Sequence, residues 1–318
     1  MIRKIITKAL RYLAFLLLSS FIIFLIFEIL PGDSAEVMLG MNAEADTLRT
    51  VRENLGLDAQ WYVRYLNWIS GAFTGDIGNS YSYEVPIFGL ITERLAVSIP
   101  LAVLSLLLTI IIAIPAGVFA ANIKSPPAKF FSSLLLQVGM SIPNFWLGIL
   151  LIMLFSVHLG YLPSGGFSGW ENGFFVSISQ FILPALALSL PQISILTGVT
   201  RSSVREILRE DFPRALRSRG MSDARVLWLH AVPNALIPVM TIIGLQFSFL
   251  VTGVVIIENV FYLPGLGRLI LQSIHQRDII VIKNVVMLLI IFVSLVNLVI
   301  DILLMNIDPR MKSKSTNV

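Results

Sequence analysis

The sequence predicts an all-α membrane protein with six transmembrane helices, and three observations lead there. Of the 318 residues, 56% are hydrophobic and only 13% are charged, against about 25% charged in ordinary globular domains. The mean hydropathy is +0.84. Apolar runs recur along the chain between short polar segments, and a hydrocarbon core of about 30 Å takes about 20 helical residues to cross. The chain has no cysteine, which excludes disulfides, thiolate metal sites and a cysteine nucleophile. A net charge of +4 suits basic loops beside an anionic leaflet better than a nucleic-acid partner.

Residues 1–30 read as a basic segment, Arg3, Lys4, Lys8 and Arg11, followed by a first span from Tyr12 to Leu30 that Pro31-Gly32 ends. The run is long and no small-x-small cleavage site precedes Pro31, which favours a retained helix over a signal peptide. Residues 31–94 form a polar insert with nine acids and four arginines. Its segment 55–73 sets Trp61, Tyr62, Tyr65, Trp68 and Phe73 at helical spacings. That pattern fits an interfacial helix with its aromatics at headgroup level, or a small loop domain packing its own rings.

Residues 95–306 read as a five-helix core with spans at about 95–121, 130–159, 178–200, 234–257 and 279–306. Pro100, Pro115, Pro143, Pro184 and Pro191 interrupt these runs; membrane helices tolerate such breaks where protein or water re-satisfies the freed backbone. A basic loop, 201–233, separates the fourth and fifth spans, and 258–278 connects the fifth to the sixth. Residues 307–318 form a basic tail. Six spans put both termini on one side, which collects sixteen Lys and Arg against seven on the other. The positive-inside rule makes that side cytoplasmic and the 31–94 insert extracytoplasmic.

The chain carries few groups suited to chemistry. No G-x-x-x-x-G-K-[ST] loop is present to cradle ATP phosphates. His158, His230 and His275 have no i,i+4 partner, so no metal site is expected. Gly166-Phe167-Ser168-Gly169 has the G-x-S-G form used by intramembrane serine proteases, but 279–306 offers no histidine base. Polar groups inside the spans are sparse: Glu28, Gln137, Asn144, Gln192, Gln246, Asn297 and Asp301. An ion-coupled carrier places acids near the bilayer centre. Glu28 and Asp301 lie near span ends instead, and buried amides commonly join helices. Gln137, Asn144, Gln192 and Gln246 are the candidates for lining a pathway. A membrane scaffold without an energy source of its own points to a partner that supplies energy; a stand-alone secondary transporter or channel is the competing reading.

The loop 201–238 is punctuated rather than featureless. Asp211–Ser218 suits a short helix that Gly220 would end at C′. Ser222 or Asp223 suits the cap of a second helix, with Pro233 and Pro238 at the entry to the fifth span. The stretch resembles the cytoplasmic coupling ("EAA") loop of ABC-importer permeases, a pattern of Glu-Ala-Ala, three residues, Gly, nine residues and Ile-x-Leu-Pro. Arg214-Ala215-Leu216, Gly220 and His230-Ala231-Val232-Pro233 stand at its positions. Ala215, Gly220 and Pro233 match. Arg214 replaces the acid, for which Glu210 and Asp211 can substitute one turn earlier.

The likeness extends along the chain. RALRSRGMS, HAVPNALIPV, ENVFYLPGLGRL, QRDIIVIKNVV and NLVIDILL…DPR resemble the dipeptide/oligopeptide/nickel permease family in order and spacing. So do LPGDSAEVMLG, LGLDAQWYVRYLNWISGAFTGDIGNS and VPIFGLITERL. The long insert resembles that of the B-type subunit. The resemblance implies a multi-pass permease of the bacterial inner membrane. It implies a C-type permease partner, two ATPase subunits that carry ATP and Mg, and an extracytoplasmic binding protein, with no cofactor in this chain. It assigns ATPase coupling to Glu210, Asp211, Arg214, Ala215, Leu216, Arg217, Ser218, Gly220 and Met221. Trp61, Tyr62, Tyr65 and Trp68 become candidates for contact with the binding protein or an outer gate.

Overall fold

Within hydrocarbon a backbone must satisfy its own polar groups, so long apolar runs fold as helices. The computed structural model describes residues 2–29, 45–54 and 56–307. The Pro31-Gly32 stop, the LPGDSAEVMLG motif, the remainder of 31–44 and the basic tail beyond residue 307 lie outside the described residues. Helices account for most of what is described: α1 (Ile2–Ile29), α2 (Ala45–Asn54), α3 (Trp61–Thr74), α4 (Ile87–Asn122), α5 (Pro126–Ser141) and α6 (Asn144–Leu151, with a π-helical continuation Ile152–His158). They are followed by α7 (Phe174–Arg209), α8 (Asp211–Ser218), α9 (Asp223–Val260), α10 (Leu266–Gln276) and α11 (Ile279–Ile307). Among the described residues the one β-type pairing outside helices is an isolated bridge between Asn79 and Pro86.

Among the described residues five helices are long and apolar enough to cross a membrane: Ile5–Ile29, Ile87–Asn122, Phe174–Arg209, Asp223–Val260 and Ile279–Met305. A sixth crossing arises if α5 and α6 count as one bent span. The span read over 130–159, interrupted by Pro143, is thus two helices meeting at 97°. Pro143 causes the break. It lacks an N–H and pushes the preceding residue out of the helical region, and Ile142 is extended at φ −79, ψ 122.

Two other boundaries differ from the hydropathy reading. The fourth helix does not stop near 200 but runs 36 residues to Arg209, about 54 Å at 1.5 Å per residue. RSSVREILR lacks Gly and Pro, and its Val204 is fully buried with Val118, Val232 and Ala235 while Ile207 and Leu208 pack around them. The fifth helix begins at Asp223 rather than 234. Pro233 lies inside it because residues Val226–Ala231 form a π-helical stretch just before it; such a bulge makes room where a proline removes an N–H and crowds the carbonyl four residues back. The loop of 201–233 therefore shrinks to the few residues around α8. The connection 258–278 also contains a helix, α10, whose Leu266, Leu269, Ile270 and Ser273 are buried on one side.

The chain divides into two compact units. One comprises Ile99–Leu263 and the end of α11. There α7 packs against α5, α6 and α9, and Ala113, Leu196 and Val239 form part of its core. Gly117 lets α4 approach α7 closely, since a Cβ there would lie 2.5 Å from that of Thr200. The other unit comprises Ile6–Ser98 and Pro264–Ser294, with a core of Ile87, Ile91, Leu266, Leu269, Ile270, Val281 and Val285. Asp278, 1% exposed, organises this second unit. Its carboxylate accepts from Ser80 Oγ (2.6 Å), the Ser82 N–H (3.2 Å) and the Val281 N–H (3.2 Å), which caps α11 and fixes the 80–86 turn.

Candidate functional site

α8 is a two-turn helix with one side in and one side out. Pro213 is buried and Phe212, Leu216 and Met221 are half-buried, while Arg214, Ala215, Arg217, Ser218 and Gly220 are exposed. Glu210 occupies the N-cap position in extended backbone without a side-chain cap bond. Asp211 stands in the first turn and Arg217 in the last, each where the helix dipole favours its charge. The C-terminus closes as a Schellman motif. The Gly220 N–H donates to Arg217 O at 2.9 Å and the Met221 N–H to Leu216 O at 3.2 Å. Gly220 takes φ +87, the left-handed turn this closure requires and glycine adopts without cost.

The mounting of α8 comes from charges that the sequence presented only as loop basicity. Arg217 Nε donates to Asp223 Oδ1 at 2.7 Å, which ties the end of α8 to the first turn of α9. Arg214 pairs with Asp211 at 3.7 Å with both side chains exposed, a pair worth little on its own. Arg205, late in α7, donates to Ala120 O (3.0 Å) and Ala121 O (3.3 Å). Those carbonyls belong to the last turn of α4, where a helix has no internal donors left. Arg201 donates to Ser133 Oγ of α5 at 3.0 Å. All nine residues named for coupling lie on α8 or at its two ends, and the helix that leads into α8 is bound to both α4 and α5.

The four candidate pathway amides do not form one group. Gln192 of α7 and Gln246 of α9 are brought together: both are buried, and Gln246 Nε2 donates to Gln192 O at 3.2 Å. Each keeps a buried Oε1 that accepts nothing among the described residues. Asn144 lies at the start of α6 beside Gly253, where an added Cβ would come within 3.0 Å of Asn144 Nδ2. Gln137 is elsewhere, exposed on α5 in an open groove of about 590 Å³ shared with Leu134, Ser141, Pro143 and Trp146.

The aromatic segment folds as α3, and its four candidates separate. Tyr65 and Trp68 face inward. Tyr65 packs edge-on to Phe21 and Phe24 at 5.6 and 5.4 Å, with its hydroxyl 2.9 Å from Ser20 Oγ. Trp68 donates to Asn284 Oδ1 at 2.8 Å. Trp61 and Tyr62 remain about half exposed, while Tyr65 and Trp68 are half-buried. Lys283, counted from sequence among loop charges, sits inside α11 over the Phe24 and Trp68 rings. The visible signal was a lone lysine five residues into an apolar helix.

Ser168 exchanges hydrogen bonds with Gln180 on both its N–H (3.0 Å) and its Oγ (2.8 Å). A neutral amide cannot serve as the base a serine nucleophile needs. The 165–166 turn is instead a packing device, with the Gly166 N–H on Phe261 O at 2.8 Å.

Helices long enough to span a membrane and a polar two-turn helix clamped between α7 and α9 are the frame within which the comparisons with known proteins fall. The family model described as binding-protein-dependent transport system inner membrane component matches residues 113–313, and the model for the N-terminal part of such membrane components matches residues 1–113. The chain belongs to this family. It is similar to a Brucella abortus (strain 2308) protein named as a peptide transport system permease, 38% identical over 297 residues that cover 93% of this chain and 95% of that protein. It is also similar to the glutathione transport system permease protein GsiC of Escherichia coli (strain K12), 36% identical over 314 residues, 99% of this chain and 100% of GsiC. Among solved structures, an inward-facing form of the MetNI methionine ABC transporter matches with a TM-score of 0.55. That match covers 69% of this chain and 96% of the MetNI chain at 18% identity, a likeness of fold. The chain is a multi-pass permease subunit of a binding-protein-dependent ABC importer, a transport component rather than an enzyme. Such a subunit works with a partner permease, an ATPase and a substrate-binding protein.

Proposed function

We propose that this chain is the B-type permease of an importer for peptides or peptide-like solutes, and that α8 is where the ATPases act on it. The observation that carries the reading is the construction of α8. A polar two-turn helix latched by Gly220 to Arg217, by Met221 to Leu216 and by Arg217 to Asp223 moves as a body, as a solvated loop does not. Through Arg205 and Arg201 the preceding helix passes that movement to α4 and α5. ATP and Mg belong to two partner ATPase subunits; a C-type permease completes the pathway, and both termini lie in the cytoplasm. Gln192 and Gln246 line or seal that pathway, while Trp61 and Tyr62 meet the binding protein. The peptide class is supported by the names of the relatives, which include glutathione and peptide permeases.

The test is reconstitution. The chain with its genomic partner permease, ATPases and binding protein, in proteoliposomes, is expected to take up labelled glutathione or short peptides only with ATP and binding protein present. Uptake by this chain alone, without ATPase, overturns the importer reading in favour of a stand-alone carrier.

A further inference from the structure

Three charged side chains from three helices of the second unit meet at the end of α1 away from its N-terminus. Glu28 of α1 forms an ion pair with Arg64 of α3, both about one-quarter exposed. Lys283 of α11 places Nζ 4.6 Å from the Trp68 ring centroid and 5.5 Å from that of Phe24. Glu28 follows Phe24 by one turn of α1 and Arg64 precedes Trp68 by one turn of α3, which sets both charges beside the rings that Lys283 covers. The rings are held in place: Trp68 by Asn284, and Asn284 in turn by Ile77 O (3.0 Å) and Ile280 O (2.9 Å).

Among the described residues two cations share one carboxylate here, an excess of one positive charge. Arg64 Nε is buried and donates to nothing among the described residues, a costly state for a charged donor. A monoanion with two oxygens supplies both needs, one oxygen for Arg64 Nε and the other for the Lys283 ammonium. The surroundings say where it comes from. Ile22, Ile26 and Ile29 of α1 and Leu66 and Phe73 of α3 are exposed apolar surface, suited to acyl chains, and Trp and Tyr cluster at headgroup level in membranes. A free phosphate dianion overshoots the charge. We propose that Arg64 and Lys283, framed by Glu28, Phe24 and Trp68, bind the phosphodiester of an anionic phospholipid.

The experiment uses the assembled importer in nanodiscs of phosphatidylcholine with or without phosphatidylglycerol. Native mass spectrometry is expected to find phosphatidylglycerol retained on the wild-type complex. Lys283→Met should weaken that retention by about tenfold or more, the order of one lost charge-assisted hydrogen bond, and Lys283→Arg should keep it. Equal retention by wild type and Lys283→Met overturns the proposal. Inorganic phosphate added to phosphatidylcholine discs should not raise the unfolding temperature; a rise equal to that given by phosphatidylglycerol overturns the lipid as the source. Where a variant does not assemble, the wild type decides. Brominated phosphatidylglycerol should quench tryptophan fluorescence more than brominated phosphatidylcholine, with the excess lost in Trp68→Phe, and equal quenching by the two lipids refutes the site.

Discussion

Replacing Gly220 gives a graded test of coupling. Its φ of +87 is left-handed, and an added Cβ meets nothing within 4 Å, so the cost of a side chain is purely conformational. An ordinary L-residue there costs about 1–2 kcal/mol. Asn tolerates the region best and a β-branched residue worst. Gly220→Asn should therefore change little and Gly220→Ala should cost about 1 kcal/mol. Gly220→Val should cost about 2 kcal/mol or more, roughly thirtyfold in the population of the closed latch. Opening the latch gives up the bonds to Arg217 O and Leu216 O and loosens the Arg217–Asp223 tie. Membrane insertion is untouched, since residue 220 is exposed between α8 and α9. Uptake and substrate-stimulated ATPase activity in proteoliposomes, at matched amounts of complex, should fall in the order Gly, Asn, Ala, Val. A Val variant that transports at the wild-type rate refutes the reasoning.

Arg205→Met should lower the thermal midpoint of the purified subunit by removing two bonds to the end of α4. A cation at such a terminus contributes about 0.3–1 kcal/mol and up to about 2 when partly buried. Arg205→Lys, which keeps the charge, should recover part of the loss, as differential scanning fluorimetry can show. Asp278→Ala strands the Ser80 hydroxyl and the N–H groups of Ser82 and Val281, a loss of about 1–3 kcal/mol for each buried donor left unmet. It should fall furthest in the same melt, with Asp278→Asn between it and wild type.

Much of this architecture was readable in the residues. Apolar runs located the spanning helices, and the Asp211–Ser218 stretch ending at Gly220 marked out α8, because turn chemistry is local. The ends of α7 and α9 were not readable. RSSVREILR is an acceptable surface loop or an amphipathic helix until Val204, Ile207 and Leu208 find Val232 and, far earlier in the sequence, Val118. The 97° angle between α5 and α6 was foreshadowed by Pro143, but its size depends on packing. α10 carried its helical spacing of Leu266, Leu269, Ile270 and Ser273 openly, hidden only by its place between two spans. The roles of charges were the least legible. Arg205, Lys283 and Asp278 each act on a partner far along the chain, and composition alone made them loop charges. For the same reason the packing of Tyr65 on α1 and of Trp68 on α11 could not be read from the sequence.

Whether energy enters through α8 can be measured directly, because the chain has no cysteine. A single cysteine at exposed Ala215 or Arg214, in the assembled importer, should form a cross-link to an ATPase subunit carrying a matching cysteine. The yield should change between the nucleotide-free and ATP-trapped states. Cysteines at exposed Lys124, between α4 and α5, and exposed Lys129, in the first turn of α5, should cross-link far less. No cross-link from α8, or one no stronger than from those lysine positions, contradicts the account.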